Sequence, residues 1–275
     1  MSTNNNRPTG TRVDLSAVAA GGNDPVGLVD ALNHLYLGGR MSPEMRNAIL
    51  GATASSPLLV QAAADVGTKL VEDSLALTTD PPLATTFPGT SLGNQLRQAA
   101  KLMALRGPLN LRRQIFFCSL GGFDTHTNQG VTGGGQPDLL DTLNDAMGAF
   151  YDATVELGIA ARVTTFTLSD FSRTLAPAGA GGAAGSDHAW GSHHFVMGDA
   201  VAGGDFYGDF PALALNGPND ADNGSGARGR FIPTTAVDQF AATLALWFGV
   251  SPTDLPLVVP NIGRFATPNL GFMTG

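Results

Sequence analysis

Cysteine occurs once in 275 residues, so no internal disulfide can brace this chain. Cys118 sits inside an apolar run and reads as a small core residue, and a lone thiol gives no redox compartment. Charge is sparse as well: 14% of residues are charged, 15 basic against 23 acidic, for a formal net charge of −8. That balance argues against a nucleic-acid partner or an anionic membrane surface held by electrostatics. It leaves room for a small anionic substrate, because a bound cation would invert the field locally. No apolar run reaches the roughly 20 residues of a membrane helix. The polar start MSTNNNRPTG has neither an apolar signal core nor a twin-arginine stretch. The expectation is a soluble chain without its own export signal. Missing too is a Walker loop. GGNDP at 21–25 and GVTGGGQ at 130–136 lack phosphate-loop spacing and read as turns.

What is present fits one large domain: 43% of residues are apolar, and the length allows a sizeable core. Residues 1–23 read as a flexible lead-in, and 24–275 as a single α/β domain with a helical part (24–106) and a sheet-bearing part (107–275). Asp24 and Pro25 open a helix that Gly38 and Gly39 end, with apolar Val26, Val29 and Leu32 on one face. Ser-Pro pairs at 42–43 and 56–57 open two more, to about residues 54 and 75. A proline-rich loop spans 78–90, and Ser91 starts a fourth helix to about 105. Next, QIFFCSL at 114–120 reads as a buried strand. Pro137 begins an amphipathic helix along Leu139, Leu143, Ala146, Phe150 and Leu157, ended by Gly158. RVTTFTL at 162–168 is a second strand. Strand, long helix, strand is a crossover that makes the two strands parallel. A further strand is expected at 194–201, loop at 176–186 and 202–230, and a last helix that Pro233 precedes, with Val237, Phe240, Leu244 and Trp247 on one face, until Gly249. Irregular chain around a short 257–259 segment closes the sequence.

Chemistry concentrates in two polar segments, GGFDTHTNQ at 121–129 and GSDHAWGSHH at 185–194, which hold four of the five histidines. Imidazole with carboxylate suits zinc, manganese and related divalent ions. Asp124 and His126 follow the first expected strand and Asp170 follows the second. Open α/β sheets bind ligands at that edge, so all three are expected on one rim. Asp187, His188 and His193 are further candidate ligands, His188 ahead of His193. Arg173 could bind a phosphate or sulfate oxygen through its planar fork. Plainer readings stay open: Asp124 and Asp170 as turn caps, His126 as a surface residue, Arg173 paired with Asp170. A single structural metal tying down 185–194 is another. His34 reads as a helix-face residue without chemistry.

The motifs GGFDTHTNQ, TFTLSDFSRTL, GSDHAWGSHHFVMG, GRFIPTTAVDQFAATLALWFGV and PNIGRF resemble domain-of-unknown-function family 1501, a bacterial group within the alkaline-phosphatase-like superfamily. They cover about 114–265. The resemblance implies a doubly wound, mainly parallel α/β sheet with a two-metal centre at the strand ends, hydrolysing or transferring phosphate or sulfate esters. Zinc is the first expectation, with manganese or calcium as alternatives. Asp124 and His126 match the superfamily's first ligand pair, Asp170 its second acid, and His188 its later histidine. Phe171 stands where many members carry a second histidine, so Asp187 or His193 would have to substitute there. Arg173 is the residue expected to hold a non-reacting ester oxygen. The front of the superfamily pattern, a strand ending in a ligand Asp and a Ser or Thr nucleophile, has no clear match. The chain is therefore expected to be the C-terminal portion of a longer protein, with an incomplete site; full-length relatives would be exported. The alternative is a non-catalytic binding or surface-associated protein that keeps the fold.

Overall fold

The computed structural model describes residues 39–54, 75–131 and 133–274, together with Asp24, Val26, Gly27, Val29, Asp30, Asn33, Val66, Lys69, Glu72 and Asp73. The expected lead-in at 1–23, most of the 56–75 helix and His34 lie outside the described residues. The chain divides into two compact units, Met1–Pro81 with Leu105–Leu111, and Pro82–Ala104 with Arg112–Gly275. In the first unit, helix α1 (Pro43–Ala54) starts at the expected Ser-Pro pair, where Ser42 Oγ accepts the Met45 N–H at 3.2 Å. Val26, Gly27, Val29, Asp30 and Asn33 are helical, and Asp30 takes Arg46 in a 2.8 Å ion pair.

The second unit is built on α2 (Ser91–Ala104) and α3 (Gln136–Glu156). Apolar residues of α2 recur at 92, 96, 99 and 100, a single helical stripe. That stripe packs on Ala146, Phe150 and Ala153 of α3 to form the main core. Small alanines on both sides let the two backbones come close, and Pro137 in the first turn of α3 costs no hydrogen bond there. Glu156 at the far end of α3 accepts the N–H groups of Ala84 and Thr85 at 2.7 and 2.8 Å, which fixes the proline-rich loop. A second cluster joins α4 (Val237–Phe248) to the one-turn α5 (Leu255–Val258): Ala242, Leu255, Val259 and Ile262 are buried together. Gly249 ends α4 with φ +103°, the left-handed turn that glycine adopts at no cost.

The strands depart from expectation. Among the described residues, β1 (Thr165–Phe166) pairs antiparallel with β4 (Val196–Met197), and β2 (Ser172–Arg173) antiparallel with β3 (His188–Ala189). No ladder joins 114–120 to 162–168, so the expected parallel crossover is not formed among these residues. Residues 114–120 still alternate like a strand. Phe116, Cys118 and Leu120 pack against the main core, while Ile115 and Phe117 are 81% and 92% exposed. The Gln95 side chain stands in for a partner strand at one point: its Oε1 accepts the Ser119 N–H at 2.9 Å, and its amide donates to the Ser119 carbonyl at 3.0 Å.

Candidate metal centre

A hairpin and a loop far from it in sequence meet by backbone pairing. β2 and β3 are the arms of a hairpin continued by Thr174 N–H to the Asp187 carbonyl (2.9 Å) and by a mutual Ala178–Gly185 pair (2.7 and 2.9 Å). On its other side, the 184–186 arm takes the loop after 114–120. Ser186 N–H donates to the Thr125 carbonyl at 3.2 Å, and Gln129 N–H to the Ala184 carbonyl at 3.0 Å. Gly185 lies under this crossing, where a β-carbon would fall inside the His126 carbonyl group. Only glycine lets the two histidine-bearing segments come so close.

That pairing brings three side chains to one point. Asp124 Oδ1 lies 3.0 Å from His126 Nε2 and 2.8 Å from His188 Nε2. The two imidazole nitrogens are 3.2 Å apart. All three side chains are about half exposed, so an ion could reach them from solvent. A plain hydrogen-bonded reading has both rings donate Nε2–H to Asp124, which leaves two N–H groups facing each other at 3.2 Å. A cation at the centre removes that conflict, because both nitrogens and the carboxylate then present lone pairs. Four-coordinate zinc with bonds of about 2.0–2.1 Å sets its ligand atoms roughly 3.3 Å apart, so the 2.8, 3.0 and 3.2 Å separations would have to open slightly to take it. Hydrogen bonds from His188, then from Arg173, hold the Asp124 carboxyl below the usual carboxylate range, so it is ionised and ready as a ligand at neutral pH.

The other expected site residues fall into different places. Arg173 adjoins the cluster, but NH1 is spent on Asp124 at 2.9 Å, Nε on Ser186 Oγ at 3.0 Å and NH2 on the Ser186 carbonyl. Its side chain is 11% exposed. Here the arginine braces Asp124. Asp187 faces the opposite nitrogen of His126, with Oδ1 at 3.6 Å from Nδ1. Asp170 is exposed, makes no hydrogen bond or ion pair among the described residues, and is not in the ligand group. His193 is also outside it; its ring meets Phe195 edge-on at 6.2 Å. Phe171 lies flat on His188, centroids 4.0 Å apart and planes within 13°, and so fixes that ring's orientation.

Sequence reasoning missed two arginines. Arg228 Nε lies 3.2 Å from Asp187 Oδ2, and Arg230 donates Nε–H to the His188 carbonyl at 3.0 Å while its NH1 meets Asp222 at 2.9 Å. Their i, i+2 spacing in ARGRF was the available signal, since an extended chain turns such residues to one side; the glycine-rich setting concealed it.

A family model described as "Protein of unknown function (DUF1501)" matches residues 26–223, most of the chain and all three clustered ligands. No curated protein and no solved structure matches.

Proposed function

Since the chain belongs to the DUF1501 family, we propose that its chemistry is divalent-metal binding at Asp124, His126 and His188, in the service of phosphate- or sulfate-ester hydrolysis on an alkaline-phosphatase-like scaffold. The observation that carries this is the convergence of one carboxylate oxygen and two imidazole nitrogens within 3.2 Å of one another. Three protein ligands on an exposed rim suit a catalytic site, which keeps a coordination position open, better than a closed structural one. Zinc fits the donor set first; manganese or calcium is the alternative. A divalent ion bound there supplies Lewis-acid polarisation of an ester oxygen. The chain's own residues do the rest: Asp124 provides the anionic ligand and Arg173 holds it in place. His188 is steadied by Phe171, and Arg228 and Arg230 add positive charge that favours an anionic ester on an acidic protein. The geometry supports one ion, since Asp170 stands apart from the cluster.

A second reading, binding without turnover, is favoured by one specific observation: the Arg173 guanidinium is engaged by Ser186 and Asp124 and presents no free fork to a substrate. The test is a panel of aryl phosphate and sulfate esters with added zinc, manganese or calcium, run beside metal analysis of the purified protein. Turnover lost on His126→Ala supports hydrolysis. Stoichiometric metal with no turnover supports the binding reading, and metal content unchanged in His188→Ala removes both.

A further inference from the structure

We propose that Asp187 is a positioning residue that sets the tautomer of His126, and not a metal ligand; this rests on the metal reading above. The argument begins with the imidazole ring. Its two nitrogens carry their lone pairs or protons in diverging directions, so a group facing Nδ1 cannot share an ion held at Nε2. His126 turns Nε2 toward Asp124 and His188 at 3.0 and 3.2 Å, and Nδ1 toward Asp187 Oδ1 at 3.6 Å. Asp187 therefore lies behind the ligand ring. Its other oxygen is taken up by cations: Arg228 Nε at 3.2 Å and Arg230 NH2 at 3.8 Å. The backbone fixes it as well, since its N–H donates to Thr174 Oγ1 at 3.1 Å and its carbonyl accepts from Thr174 N–H at 2.9 Å.

A carboxylate so placed favours a proton on Nδ1 and leaves the Nε2 lone pair for a metal. This is the arrangement by which outer carboxylates orient ligating histidines and raise their basicity. The two histidines are thus steadied by different means. His126 has a carboxylate behind it, whereas His188 has the Phe171 ring against its face and Arg230 on its carbonyl. Arg228 has a matching role. Its Nε is buried without an aligned hydrogen-bond acceptor and faces Asp187 Oδ2, which leaves Oδ1 turned toward His126.

The experiment compares wild type, Asp187→Asn, Asp187→Ala and Asp124→Ala by calorimetric titration with zinc chloride, and reads the His126 side chain by long-range proton–nitrogen NMR in the metal-free proteins. Metal-free wild type is expected to share the His126 proton between Nδ1, which faces Asp187, and Nε2, which faces Asp124. Asp187→Ala should shift the proton to Nε2 and make zinc affinity 10–100-fold weaker, the usual effect of removing an outer-shell partner. Asp187→Asn should fall between, because its one carbonyl oxygen cannot serve His126 and Arg228 together. A purely structural role would lower the melting temperature without changing the tautomer. Unchanged tautomer and affinity in Asp187→Ala would overturn the proposal. So would loss of zinc as complete as in Asp124→Ala, which would make Asp187 a ligand. Wild type that takes up no zinc would instead overturn the metal reading itself, an outcome seen before any variant is compared.

Discussion

Asp124 carries three contacts on one oxygen, from His126, His188 and Arg173 at 3.0, 2.8 and 2.9 Å. Its charge is what the other three have in common. Asp124→Asn keeps the shape and removes the charge, so zinc affinity should fall by more than about 100-fold, beyond the range for outer-shell changes. Calorimetric titration reads this directly. The same change leaves the Arg173 guanidinium without its carboxylate, so some stability should go with it. His194 gives a separate test by pH. Partial burial of its ring, then the neighbouring His193 charge, lowers its pKa below the ordinary imidazole value of about 6.5. The folded state therefore resists protonation that the unfolded chain accepts. Below about pH 6.5 the unfolded state binds the proton first, and stability falls as pH drops toward the folded value. Urea midpoints measured from pH 8 to pH 5 should decline less in His194→Gln than in wild type; parallel curves would remove His194 from the account.

At the scale of the element, the site depends on how three strand-like pieces cross. Gly185→Ala needs no forbidden backbone angle, yet its methyl would meet the His126 carbonyl group. The expected cost is about 1–3 kcal/mol, as for other overpacked positions, with zinc affinity at least about tenfold weaker because His126 and His188 are pushed apart. Denaturant melts and zinc titration of one variant check both. Residues 114–120 carry the opposite kind of prediction. Phe117 is 92% exposed on a segment without a ladder partner among the described residues, the setting in which strands associate edge to edge. Phe117→Ser should leave the melting temperature within the small range of surface changes and reduce concentration-dependent light scattering. The same elements show what could be read from sequence. α2, α3 and α4 were legible because a helix closes its own hydrogen bonds, so its stripe and caps lie within its own residues: 92, 96, 99 and 100 for α2, Pro137 for α3, Gly249 for α4. A strand borrows its partner from elsewhere. Among the described residues the apolar run at 114–120 has no ladder partner, its Ser119 being met by the Gln95 amide, and only Thr165–Phe166 of the 162–168 run is laddered. Asp124, His126 and His188 were legible by residue type and clustering. The separation of Asp170 and the placing of Asp187 behind His126 were not, because both turn on which way a loop side chain faces.

For the whole molecule, the consequence of the site is linkage between metal and folding. The three ligands belong to two segments that an unfolded chain keeps apart: His126, beside Asp124, and His188 are separated by 62 positions. An ion that needs all three binds the folded state and not the unfolded one. It stabilises by about 2.7 kcal/mol at a concentration 100 times its dissociation constant. All three ligands belong to the unit of Pro82–Ala104 and Arg112–Gly275. Scanning calorimetry with zinc should therefore raise the transition of that unit by several degrees. Any transition arising from Met1–Pro81 with Leu105–Leu111 should stay where it is. Excess chelator should restore the metal-free trace, and His188→Ala should show no zinc-dependent shift at any concentration. An equal rise of every transition, or a rise that persists in His188→Ala, would mean that zinc acts at places other than this cluster, since linkage acts only through the cooperative unit that holds the ligands.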